Sequence, residues 1–109
     1  MGNRAIVVFT DGKEYSCGIY LHWHGDPTFV AELIAEAIPR MRAGDVQYSA
    51  ARFCGVRHEN MHGNLSLGLV RPPTQQEQKN WDKYSQGNNG VSVVEVTDWT
   101  MKWFGQKRD

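Results

Sequence analysis

The chain has 109 residues, of which 40% are hydrophobic and 22% charged, and its twelve basic and twelve acidic side chains cancel to a formal charge of zero. That size is one domain, long enough to bury a core without disulfides, and the charge balance lacks the basic excess of a charge-driven nucleic-acid binder. Cys17 and Cys54 are too few for a disulfide framework, and with no signal-peptide pattern and no apolar run of membrane length the expectation is a cytoplasmic protein with free thiols.

Arg4 to Thr10 is rich in β-branched and aromatic residues and reads as a strand, followed by the hairpin signal Asp11-Gly12. Glu14 to Trp23 reads as the return strand, with Cys17, Ile19 and Leu21 on one face and Tyr20 and His22 on the other. Gly25-Asp26-Pro27 starts a helix: Asp26 caps free N–H groups, and Pro27 suits the first position, where no donor is needed. Val30, Leu33, Ile34, Ala37, Ile38 and Met41 then recur at helical spacing until Pro39 ends or bends the helix.

Asp45 caps a second helix from about Val46, with Ala50, Ala51 and Cys54 in its buried stripe and Gly63 at its end. Leu65 to Val70 alternates as a half-buried strand does and is stopped by Arg71-Pro72-Pro73. Thr74-Gln75-Gln76-Glu77 is a capping box, which predicts a short helix over about Gln75 to Tyr84 with Trp81 and Tyr84 sharing a face. Gln86 to Gly90 is a turn, Val91 to Val96 a strand, and Trp99, Met101 and Trp103 alternate in a last strand after Thr97-Asp98. Strands at both ends with helices between them indicate an α+β fold: an antiparallel sheet of four to five strands with two main helices, and a short third, on one face.

All four histidines fall in two pairs with ligand geometry. His22 and His24 share a strand face, and His58 and His62 are four apart on the second helix, one turn beyond Cys54. These are zinc-type ligands, and His58-Glu59-Asn60-Met61-His62 matches H-E-x-x-H, in which Glu59 would be the general base of a zinc-dependent hydrolase. Against that reading, Gly63-Asn64 should end the helix directly after His62, and Leu65 stands where the extended motif carries on. A non-catalytic structural zinc site is a second use for the same residues. In a third, the histidines simply complement the negative end of the helix, and Cys54 is a small buried apolar group.

The Tyr20 to Gly25 stretch places Trp23 between two histidines at a strand end, a composition that suits a ligand pocket or an interface. Arg52 and Arg57 on the second helix are candidate anion contacts.

Asn3-Arg4-Ala5-Ile6, Tyr20-Leu21-His22-Trp23-His24-Gly25, Ala51-Arg52-Phe53-Cys54, Leu65-Ser66-Leu67-Gly68 and the Asp98-Trp99 pair together resemble a family of small proteins of phages and mobile elements. The resemblance brings no assigned activity with it. It includes the Ala-Arg-x-Cys and Leu-Ser portions but not H-E-x-x-H, which moves the expected shared function to Tyr20, His22, Trp23 and His24. It implies a non-enzymatic binding protein of phage or prophage type that blocks a host defence, as anti-CRISPR inhibitors do, or sequesters a host protein or a small anionic signal, in some cases as a homo-oligomer. That implication rests on context rather than on a site.

Overall fold

A computed structural model describes residues 4–59, 67–86 and 89–105. The chain forms a five-stranded sheet in the order β3-β2-β1-β4-β5, where β1 is Ala5–Thr10, β2 Gly18–Leu21, β3 Leu67–Val70, β4 Val91–Glu95 and β5 Met101–Phe104. Two main helices, α1 (Pro27–Ala37) and α2 (Val46–Glu59), join β2 to β3, and a short α3 (Gln75–Lys79) followed by a 3-10 turn (Trp81–Lys83) joins β3 to β4. This is the expected α+β fold.

The sheet is mixed rather than purely antiparallel, because β1 pairs with β4 in parallel, in register from Ile6↔Val91 to Thr10↔Glu95. The other three pairings are antiparallel. Parallel pairing of β1 and β4 requires the chain to travel back along the strand direction between β3 and β4.

The opening hairpin is shorter on its return side than the period-2 pattern suggests. Asp11 Oδ1 accepts from the N–H groups of Lys13 and Glu14, closing the turn. Ser16 Oγ then accepts the Phe9 N–H at 3.0 Å. A side chain thus replaces a ladder carbonyl, and regular pairing resumes only at Gly18. Asp26 caps α1 by accepting the Phe29 N–H at 3.0 Å, and the helix gives way to a 3-10 turn, Ile38–Arg40, at Pro39. Asp45 accepts the Tyr48 N–H at the start of α2.

The side chains alternate between two cores. Val7, Phe9, Ile19, Leu21 and Val94 point to the face covered by α1 and α2, where Phe9 meets Phe53 with ring centroids 5.4 Å apart. Ile6, Val8 and Val91 point to the opposite face and pack against Trp81 and Tyr84. The third helical segment therefore lies on the face away from α1 and α2, and not on the one face expected for all the helices. Tyr84 is anchored by donating its hydroxyl to the Arg71 carbonyl at 2.5 Å. It passes so close to β2 that a Cβ at Gly18 would come within 2.8 Å of Ile6 Cγ2 and closer still to the Tyr84 hydroxyl.

Candidate functional site

Beyond Leu21 the chain leaves the sheet and turns sharply into α1. His24 occupies the left-handed region, with φ 58°, a conformation that costs an L-residue roughly 1–2 kcal/mol. His22 Nδ1 shares a hydrogen bond with the Tyr20 hydroxyl at 2.9 Å. The His22 ring meets Trp23 edge-on at 4.8 Å, and His24 lies against Phe29 of α1 at 4.7 Å. Trp23 remains 40% exposed.

Arg57, in the last turn of α2, braces this corner from behind. Its NH2 group donates to the Trp23 carbonyl at 3.1 Å, and its guanidinium carbon lies 5.6 Å from the centre of the Phe29 ring. Only 1% of Arg57 is exposed, and Nε has no hydrogen-bond partner. The ion pairs Arg40–Glu59, Arg42–Asp45 and Arg71–Glu77 do not include it. Burial alone lowers the guanidinium pKa from its ordinary value. Taking a charge out of water without a counter-charge costs several kcal/mol. Here the Trp23 carbonyl, the face of Phe29 and the negative end of α2 offset part of that cost.

The sequence-derived candidates separate into groups. Tyr20, His22, Trp23, His24 and Arg57 come together at the corner, joined by Phe29. Arg52 lies elsewhere: five residues from Arg57, it points about 140° away round the helix. It is exposed, and its Nε donates to the Tyr48 hydroxyl at 3.0 Å. His58 is exposed, and Glu59 forms a surface pair with Arg40 at 2.6 Å. Cys54 is half-buried and shares a small cleft of about 160 Å³ with Cys17 and Leu69. Burial pushes its thiol up to about 11, so at neutral pH it is a protonated apolar group. His62 lies outside the described residues, as do Asn60, Met61 and Gly63. Among the described residues no group of three or more His, Cys, Asp or Glu side chains is arranged to hold a metal ion.

Phe29 is the corner residue that the sequence did not reveal. Its signal was present: an aromatic at the third position of a helix whose cap follows directly on His24-Gly25. Family models, curated proteins and solved structures were all compared with the chain, and none matches it.

Proposed function

We propose that this chain is a small non-catalytic binding protein of the phage or mobile-element kind, acting in the host cytoplasm by stoichiometric capture of a host protein, in the manner of an anti-defence inhibitor. The observation that carries the reading is the braced corner. A left-handed histidine and a buried guanidinium without a counter-charge among the described residues are both costs to folding, and together they hold a tryptophan outward. Strain that the surrounding structure over-determines concentrates at functional sites, and exposed tryptophans held rigidly are typical anchors of protein interfaces.

A protein partner fits better than a small anion. Arg57 donates to the Trp23 carbonyl, and at 1% exposure, behind the Trp23 backbone, it presents no surface to a dissolved ligand. The surface offered is aromatic, made of Trp23 with His22 and His24 beside it.

The test is affinity retention from host extract with wild type and Trp23→Ala, followed by titration of the purified partner. Trp23→Ala should keep the fold while lowering stability by about 1–2 kcal/mol for the part of the ring that is covered, and weaken binding by at least about 2 kcal/mol, roughly thirtyfold. Undiminished partner binding by Trp23→Ala would remove the corner from the interface.

A further inference from the structure

A second site lies on the opposite side of the sheet from α1 and α2, and no part of the corner contributes to it. Three rings form its wall: Trp81 sits 6.0 Å from Tyr15 and 5.8 Å from Phe104, centroid to centroid. They border a cavity of about 490 Å³, whose floor includes Val93 of β4. That volume is in the range of small-molecule sites.

Three charged side chains line the same cavity: Glu95, Asp98 and Lys102. The ion pairs among the described residues include none of the three. Glu95 accepts instead from the Thr97 hydroxyl at 2.9 Å. Asp98 Oδ1 accepts from both the N–H and the hydroxyl of Thr100, at 3.0 and 2.7 Å. These two bonds hold its carboxyl below the ordinary value and keep it ionised at neutral pH. The turn that carries Asp98 is itself fixed by Trp99, which adopts φ 64°. The Trp99 N–H donates to the Glu95 carbonyl at 2.7 Å, and the Glu95 N–H to the Thr100 carbonyl at 2.8 Å.

The geometry points to a binding site for a zwitterionic small molecule of the amino-acid class, its ammonium facing Glu95 and Asp98, its carboxylate facing Lys102 and its apolar body against Trp81, Tyr15 and Phe104. This occupant accounts for all three charges and for the rings. A simple cation would leave Lys102 repelling it, and a simple anion would meet two carboxylates.

Calorimetric titration with phenylalanine and leucine, each also as the amide and as the N-acetyl form, tests the charges one at a time. At least one free amino acid is expected to bind with a dissociation constant of about 1 mM or tighter. Its amide and N-acetyl forms are expected to bind about tenfold more weakly, each having lost one charged contact. Glu95→Gln should reduce the preference over the N-acetyl form, Asp98 keeping the remainder, and Lys102→Met should erase the preference over the amide. Lys102 is exposed and Glu95 half-buried at the cavity, and the unfolding midpoints of both variants check that the fold is kept. The Trp81 indole N–H resonance should shift on binding. Equal affinity for the three forms, no binding of either amino acid at about 10 mM, or binding that leaves the Trp81 resonance unmoved overturns the assignment.

Discussion

Among the described residues, one face of the sheet carries helices of 11 and 14 residues, and the other only a five-residue helix and a 3-10 turn. Under the long helices lies one continuous core from Val7 and Phe9 across to Val94 and Val96. On the other side, Trp81 and Tyr84 cover Ile6, Val8 and Val91, and the covering stops at Phe104, which is 37% exposed. Apolar burial drives folding in proportion to area removed from water. The helix face therefore holds the fold together, and the thinly covered face is free to contain an aromatic cavity. The difference shows how a chain of 109 residues accommodates a ligand-sized space without giving up its core.

The largest expected effect contrasts one phenylalanine from each face. Phe53 is fully buried against Phe9, so Phe53→Ala should lower stability by about 3–5 kcal/mol. Phe104→Ala, at the rim of the open-face cavity, should cost less than about 1 kcal/mol. Urea unfolding of both variants measures the gap. Similar losses would mean that the two faces share the stabilisation equally.

The next effect compares His24 and Trp99, the two left-handed residues other than glycine among the described residues, which lie in turns leaving β2 and β4. Trp99 packs its ring against the helix-face core, whereas His24 is exposed and rests on Phe29. Glycine adopts φ near +60° without the Cβ penalty. Trp99→Gly should relieve roughly 1–2 kcal/mol of strain but lose more in ring burial, for a net loss of about 1–2 kcal/mol. His24→Gly has little burial to lose and should be neutral or stabilising by up to about 1 kcal/mol. Opposite signs would establish that the Trp99 turn is held by packing and that the His24 corner is strained without local repayment. Equal signs would remove strain as an argument for function at the corner.

The sequence was most legible where structure is local. The Asp26-Pro27 start of α1, the end of α1 at Pro39 and the Thr74–Glu77 capping box all involve groups within a few residues of one another. The parallel pairing of β1 with β4 joins residues some 85 positions apart, from Ile6↔Val91 to Thr10↔Glu95, and no periodicity encodes it. The placement of Trp81 and Tyr84 followed from that pairing and was equally hidden. At the corner, the Tyr20 to His24 stretch stood out by composition. The burial of Arg57 did not, because an arginine in a last helical turn reads as a surface residue that complements the dipole. The open-face cavity draws Tyr15, Trp81, Glu95, Asp98 and Phe104 from separate stretches, so no motif could announce it.

The smallest effect concerns how the crossover stays on the open face. Arg71 clasps Glu77 with two hydrogen bonds of 2.6 Å each, and Glu77 Oε1 also accepts the Thr74 N–H at 2.9 Å. The Arg71 guanidinium, followed by the Thr74 N–H, holds the Glu77 carboxyl at about 2, against an ordinary value of 4.5. A carboxyl depressed in the folded state contributes stability that is complete above its unfolded pKa and is lost as pH falls through the folded one. The contribution should therefore be intact above about pH 4.5 and fade towards pH 2. Asp11 and Asp98 are also held low by backbone hydrogen bonds, so wild type alone mixes several groups. The difference between wild type and Glu77→Gln in thermal midpoint, followed from pH 5 to pH 2, isolates this one. It should be largest at the neutral end and narrow as the wild-type carboxylate takes up its proton. A difference constant across that range would mean that the Arg71–Glu77 clasp does not secure the crossover, and that Trp81 and Tyr84 hold it by packing alone.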